Sequence, residues 1–167
     1  MSTAFIGIGS NLAQPVVQVR SAVSALAAMP SCRLIAASDL FRSPPMWPQD
    51  QPDFVNAVAM LATGLEPMEL LDGMQAIESA HQRQRDRHWG PRTLDLDLLS
   101  VDDRVLVSER LRLPHPGIVQ RAFVLVPWAE LAPDYAVPGL GRVRNLRARI
   151  DDRYLERLPQ EGMEPIQ

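Results

Sequence analysis

The run Gly90-Pro91-Arg92-Thr93-Leu94-Asp95-Leu96-Asp97-Leu98-Leu99 sets two carboxylates at alternate positions between leucines. Strict alternation is the pattern of a half-buried strand, so Leu94, Leu96 and Leu98 are expected to face a core while Asp95 and Asp97 share the opposite face. Residues two apart on a strand lie about 6.6 Å apart at Cα, which lets both carboxylates converge on one cation or each hold one of two neighbouring ions. Oxygen donors without a Cys or His pair suit a hard ion, Mg²⁺ over Zn²⁺. A D-x-D on a strand is equally the mark of a sheet face that is simply wet, and the surrounding residues decide between the two.

Just before the acids stand Gln82, Arg83, Gln84, Arg85, Asp86, Arg87, His88, Trp89 and Arg92. Such a run can be a solvated loop pairing with Asp86. Carboxylates that hold Mg²⁺ beside guanidinium groups that grip phosphate oxygens are also the components of phosphoryl-type transfer, in which a protein chiefly positions groups and neutralises charge. The combination favours a metal–nucleotide site. A second basic group follows at Arg110, Arg112, His115 and Arg121. His115, between Pro114 and Pro116, is rigidly placed and either donates to a phosphate or nucleotide hydroxyl or caps backbone carbonyls in a turn; both readings stay open. His81 continues an apolar helix face and is expected only to pack.

Composition narrows the chemistry further. All 17 basic residues other than histidine are arginine. Without lysine there is no P-loop of the GxxxxGK[ST] type and no Schiff-base catalysis, so phosphate must be held by guanidinium forks, backbone N–H groups or a metal. The single cysteine, Cys32, allows no intrachain disulfide or thiolate cluster and is read as a small core residue. A net charge of -3 argues against a nucleic-acid partner. No segment has the apolar length of a membrane span and the start lacks a signal-peptide pattern, so the cytoplasm is the expected compartment. The 167 residues suit one domain spanning 1–167, with a flexible tail after about 158.

The elements that must position these groups follow from periodicity and punctuation. A buried strand over 4–8 ends at Gly9-Ser10-Asn11; Pro15 opens a helix with Val16, Val19, Val23 and Leu26 on one face, stopping at Pro30. A strand is expected over 32–42 and another over 54–62. Between them Pro44, Pro45, Pro48 and Pro52 stiffen a loop carrying Trp47. Glu66-Pro67 opens a second helix with Leu70, Met74 and Ile77 inward. The carboxylate strand comes next, and 104–107 is expected to turn back on it as a hairpin. Residues 121–133 are either strand or helix, and 142–158 read as a terminal amphipathic helix. The order is that of an α+β, ferredoxin-like βαββαβ sandwich with an extra hairpin and a C-terminal helix. Its second sheet face must be covered by later segments or by ligand.

With these residues in view, the chain resembles the 6-hydroxymethyl-7,8-dihydropterin pyrophosphokinases. The likeness runs through "IGIGSNL", "FRSPPMWPQDQPDFVNAV", "RHWGPRTLDLDLL" and "LRLPHPGIVQRAFVLVPWAELAPD", and only the stretch after about Asp134 adds little. The resemblance implies transfer of pyrophosphate from ATP to the pterin hydroxymethyl oxygen with release of AMP, two Mg²⁺ ions and a ferredoxin-like fold. It implies that Asp95 and Asp97 ligate the metal and that Arg83 and Arg92 steady the transferring group. It further implies ATP contacts from Gln75, Glu78, Arg85, His88, Trp89 and Arg92, and from Leu98, Arg110, Arg112, His115, Pro116 and Arg121. The matching pterin positions are Ser43, Pro44, Met46, Phe54, Asn56, Trp89 and Phe123.

Physical chemistry is consistent with the pterin positions: a flat polar heterocycle takes aromatic faces, which Phe54 and Phe123 offer, and a paired donor and acceptor, which the Asn56 amide offers. Gln75 and Glu78, three apart, share a helix flank that reaches toward a nucleotide or is merely solvated. His88 stands where many members have Arg, Ser43 where Thr is usual, and Ala13 where Gly is frequent. The loops at 43–53 and 82–92 flank the site and are expected to close over bound ATP. Small-molecule partners only, no membrane and a monomer are expected. The rival readings are a catalytically inactive pterin- or nucleotide-binding paralogue and an RNA-binding module on the same fold.

Overall fold

The computed structural model describes residues 1–45, 50–81 and 93–160. In chain order these form β1 (Ser2–Ser10), α1 (Pro15–Ala27), β2 (Cys32–Ala37), β3 (Phe41–Ser43), β4 (Phe54–Thr63), α2 (Pro67–His81), β5 (Asp95–Val101), β6 (Leu106–Val107) and β7 (Arg112–Leu113). They continue with α3 (Ala122–Leu131), β8 (Ala136–Val137), β9 (Gly141–Arg142), α4 (Val143–Ala148) and β10 (Glu156–Arg157). The result is a mixed α/β chain built on an antiparallel sheet in the order β10-β3-β4-β1-β5, with β2 also paired to β4.

Helices α1 and α2 cover one sheet face. Pro15 starts α1 without a side-chain cap, its fixed φ being already helical, and the helix buries Val19, Ala22 and Leu26. From α2 come Leu70, Leu71 and Met74, and the sheet contributes Ile6, Ile8, Leu96 and Leu98 to the same core. Cys32 packs against this core with Sγ 3.2 Å from Thr63 Oγ1. The segment at 121–133 resolves to a helix, α3, and with α4 it covers part of the other face, where Phe5, Val58, Leu99, Leu125, Trp128 and Leu146 form a second core. The rings of Phe5, Trp128 and Tyr135 lie within 4.7 to 5.9 Å of one another at its centre.

Three expectations are corrected. The strand over 32–42 is two strands, β2 and β3, both on β4. At the break Ser38 substitutes its hydroxyl for a ladder carbonyl: Val58 N–H donates to Ser38 Oγ at 2.9 Å while Ser38 N–H donates to Val58 O at 2.9 Å. The segment after Asp102-Asp103 does turn, with Arg104 N–H bonded to Val101 O at 2.9 Å, but β6 pairs with β7 and not with β5. Ser108 closes that hairpin, bonding Leu111 through both its backbone and its hydroxyl.

The expected terminal helix over 142–158 is only the six residues of α4. Asp151 accepts from the Arg153 N–H at 3.0 Å and Asp152 O from the Leu155 N–H at 3.0 Å. These local bonds give the backbone an alternative to further helical turns. Beyond them β10 adds to β3. Trp47 lies outside the described residues.

Tyr135 ties the second core to the end of β5: its hydroxyl donates to the Asp102 carbonyl and lies 2.6 Å from Ser100 Oγ, which therefore donates to it. Burial, with Asp102 and Asp103 adding to it, raises the phenol above its ordinary 10.0 against the opposing Ser100 bond. The folded chain thus keeps this proton when the unfolded chain releases it. The contribution is intact below about pH 10 and is lost as pH rises through the elevated value. Tyr135→Phe, which strands the buried Ser100 hydroxyl, is expected to cost about 1–3 kcal/mol in urea unfolding at neutral pH and to flatten the alkaline decline in stability.

Candidate active site

Antiparallel pairing of β1 with β5 puts Gly7 opposite Asp97 and Gly9 opposite Asp95. Directly opposed residues project on the same face, so the two carboxylates emerge beside positions that carry no side chain. A bare strip of sheet results. Leu96 and Leu98 point the other way into the α1/α2 core, as the alternation predicts.

Two hollows meet at Asp97. The first, about 230 Å³, takes its floor from Gly7, Gly9 and Asn56 and its walls from Ser43, Pro44, Phe54, Asp95, Asp97, Arg121 and Phe123. It occupies the part of the second sheet face that α3 and α4 leave open. Ser43 Oγ donates to Asn56 Oδ1 at 3.1 Å, and both residues are buried. This bond fixes the amide so that its NH₂ group is the end left to a ligand. The second hollow, about 240 Å³, is a groove lined by Leu98, Arg110, Arg112, His115, Pro116 and, again, Asp97.

Cationic and dipolar groups converge on the shared carboxylate. Arg121 Nη1 lies 3.5 Å from Asp97 Oδ2 and His115 Nε2 3.7 Å from Oδ1, distances too long for strong hydrogen bonds. The Arg121 guanidinium also sits 5.8 Å from the centroid of the Phe123 ring. His115 is held twice by backbone: its N–H donates to Leu99 O at 2.9 Å, and its Nδ1 accepts the Gly117 N–H at 3.0 Å. Burial lowers its pKa, with Asp97 opposing and Arg121 adding to the effect. A neutral ring that accepts at Nδ1 carries its proton on Nε2, facing the groove. The carbonyl-capping reading of this histidine does not hold, since its side chain's backbone partner is an N–H rather than a carbonyl, and Nε2 is the nitrogen left to donate.

The helix flank resolves into two different roles. Gln75 Oε1 accepts from Arg110 Nη2 at 2.6 Å, and Asp72 Oδ1 takes the same nitrogen at 2.5 Å, which parks Arg110 at the groove mouth. Glu78 turns toward β5, where Oε2 accepts the Leu96 N–H at 2.8 Å. Because β5 is the edge of the sheet among the described residues, that N–H has no strand partner there, and Glu78 supplies an acceptor between the two acids. Met46, Arg83, Arg85, His88, Trp89 and Arg92 lie outside the described residues, as do 46–49 of the first flanking loop and the whole of the second, 82–92.

Sequence reasoning missed Gly7, Gly9 and Ala57 in the first hollow and Leu71, Glu109 and Leu111 in the second. The glycines did leave a signal, since G-x-G inside an apolar strand strips one face of side chains. Among the described residues no three of His, Cys, Asp and Glu cluster as metal ligands. Two adjacent carboxylates that leave most coordination positions to water and phosphate fit Mg²⁺, which is commonly held in that way.

Comparison with known proteins sets this geometry in a family. The sequence pattern of the 7,8-dihydro-6-hydroxymethylpterin-pyrophosphokinase family matches residues 5–133. A Pseudomonas aeruginosa 2-amino-4-hydroxy-6-hydroxymethyldihydropteridine pyrophosphokinase is 47% identical over 155 residues, 93% of this chain and 96% of that protein. The Haemophilus influenzae protein of the same name is 42% identical over 158 residues, 95% of this chain and 99% of its own. Among solved structures, wild-type Plasmodium falciparum HPPK-DHPS with pteroate superposes with a TM-score of 0.72 at 12% identity; the match covers 89% of this chain and 44% of that longer one, and it speaks to the fold alone.

Glu78→Ala is expected to leave the edge N–H of Leu96 without its acceptor, at a cost of about 1–3 kcal/mol. Hydrogen exchange would show Leu96 losing protection while the β1–β4 amides keep theirs, and unchanged exchange at Leu96 would refute the tie.

Proposed function

The chain belongs to the 7,8-dihydro-6-hydroxymethylpterin-pyrophosphokinase family, whose reaction moves the pyrophosphoryl group of ATP to hydroxymethyldihydropterin in folate synthesis, and we propose that the two hollows meeting at Asp97 carry it out here. The observation that supports the assignment most is this meeting point: one aspartate borders both an aromatic, amide-floored cavity and an arginine-lined groove. In the transfer, a bond forms between the pterin hydroxymethyl oxygen and the β-phosphorus of ATP as the bond from the β-phosphorus to the bridging α,β-oxygen breaks, releasing AMP, and the hydroxyl proton is given up to water.

The aromatic cavity is the pterin site. Phe54 and Phe123 offer ring faces, the Asn56 NH₂ donates to the heterocycle edge, and Ser43 holds that amide in register. Gly9 leaves the room: a Cβ there would meet Phe54 Cδ1 at 3.9 Å and Asn56 Nδ2 at 4.0 Å, ordinary contacts for the fold but inside the ligand's volume. The groove takes the triphosphate and nucleoside. Arg110 and Arg112 line it as forked donors, and His115 Nε2–H and Arg121 face the junction where negative charge is transferred.

Asp95 and Asp97 are the residues that would hold Mg²⁺, as two ions on this reading. Bound there, the metal supplies charge neutralisation on the phosphate oxygens. Arg83 and Arg92 are proposed to steady the transferring group, and Arg85, His88 and Trp89 to contact ATP, with Trp89 and Met46 also contacting the pterin. Gln75 and Glu78 would then act on the nucleotide largely through Arg110 and the placement of β5.

The strand order β3-β4-β1-β5, with β2 also paired to β4 and β10 added outside β3, antiparallel throughout, supports a ferredoxin-like arrangement. Residues 1–167 are proposed to act as one domain, monomeric and cytoplasmic. That β10 joins the same sheet as β1 supports the single domain; no described helix is long and apolar enough to cross a membrane.

AMP release from ATP and Mg²⁺ is expected to depend on added hydroxymethyldihydropterin. Asp97→Asn should lower kcat by about 10²–10⁴, the equivalent of several kcal/mol of lost charge stabilisation. AMP formation that ignores the pterin, or that survives Asp97→Asn, defeats the assignment. Gly9→Leu is expected to leave the melting temperature within a few degrees of wild type while abolishing calorimetric binding of hydroxymethylpterin; retained binding would move the pterin elsewhere.

A further inference from the structure

Ser43 and Pro44 reach the pterin cavity from the end of β3, whereas Phe123 and Val124 reach it from the first turn of α3. The cavity's width therefore depends on how β3 and α3 are spaced. β3 has only three residues and one internal partner, β4. A strand so short sits loosely unless something covers its outer edge.

The C-terminal segment covers it. β10 pairs Glu156 with Arg42 and Arg157 with Phe41, and the Leu158 N–H donates to Leu40 O at 2.9 Å. The Arg157 guanidinium then spans both elements. Its Nη1 bonds Asp39 Oδ2 at 2.6 Å just ahead of β3, its Nη2 pairs with Glu130 near the end of α3, and its Cζ lies 4.8 Å from the centroid of the Phe41 ring. Phe41 itself packs on Ala122 and Val126 of α3. Gln160 Nε2 adds a bond to the second Asp39 oxygen at 2.5 Å.

We propose that Arg157 is a positioning residue for the pterin cavity, clamping β3 to α3 so that Ser43 and Asn56 on one side keep a fixed spacing from Phe123 on the other. The inference rests on the pterin-cavity reading above. Arg157 touches no part of the cavity itself, and its effect is transmitted along β3: the backbone that pairs Arg157 with Phe41 is two residues from the Ser43 hydroxyl that orients Asn56. Exposed ion pairs contribute little to stability, so the consequence of losing this one is displacement of a wall more than unfolding. A planar fork is needed to serve two carboxylates on different elements at once.

The test is a kinetic split in AMP formation by the full chain with each substrate varied in turn. Arg157→Met is expected to raise the KM for hydroxymethyldihydropterin about threefold to tenfold, with kcat and the KM for ATP unchanged. Arg157→Lys, which keeps the charge without the fork, is expected to recover part of that loss. Should Arg157→Met fail to fold, Glu130→Gln removes only the α3 half of the clamp and is expected to give the same selective rise. An unchanged pterin KM, or an equal rise in both KM values, overturns the proposal even if the melting temperature falls. Pterin-dependent turnover by the wild type separates that failure from failure of the functional reading.

Discussion

The register of β1 against β5 is the constraint on which the site depends. It sets Gly7 and Gly9 beside Asp97 and Asp95, so two charged groups stand over a strip of sheet without competing side chains. A slip of one residue would turn the acids into the α1/α2 core and the leucines into the cavity. The cost of burying unpaired carboxylates makes that alternative inaccessible. Alternation in the sequence is thus enforced from both faces: Leu96 and Leu98 hold the register by burial, and Asp95 and Asp97 hold it by needing water or a cation. The irregularity after Phe5 falls past the site, where Leu99 instead joins the second core.

How far the site could be read from the sequence depended on how local the signal was. "LDLDLL" declares its strand and its two faces in six residues, and Pro15 and Pro67 mark their helices by the angle they impose. The break between β2 and β3 left no such mark. Nothing about Ser38 in isolation says that its hydroxyl will take the Val58 N–H, because the partner is twenty residues away. The terminal helix extends too far in the sequence reading for the opposite reason: Val143, Leu146 and Ile150 keep a helical spacing, while Asp151 and Asp152 divert the backbone through bonds only two or three residues long. The pairing of β6 with β7 was decided by Ser108, whose turn could be inferred only once Leu111 was known to face it.

The same division applies to individual site residues. Phe54 and Phe123 are ordinary core residues by type, and it was the family resemblance rather than any periodicity that singled them out together with Asn56. The fold brings them together with Ser43 because β3, β4 and the start of α3 converge on one end of the sheet. His115 shows what types and spacing cannot give. Its flanking prolines imply rigidity, but only the Gly117 N–H at Nδ1 says which nitrogen is left to face the groove. An all-arginine chain tightens this logic, since guanidinium groups keep their charge in partly buried settings where lysine would shift its pKa.

Two demands compete for the second face of the sheet. Stability asks that it be covered, and α3 with α4 meets that demand with Trp128, Leu125 and Leu146 over Phe5, Val58 and Leu99. Binding asks that it be open, and the uncovered end is where Gly7, Gly9 and Asn56 lie. One helix serves both demands, since α3 supplies Phe123 to the cavity from its first turn and Trp128 to the core from its second. Burying the distal part of α3 therefore fixes where its proximal part can stand. The apolar run "AFVLVPWAEL" shows no helical stripe because it is enclosed almost all round, and that enclosure lets a helix of ten residues hold an aromatic ring at the edge of an otherwise open site.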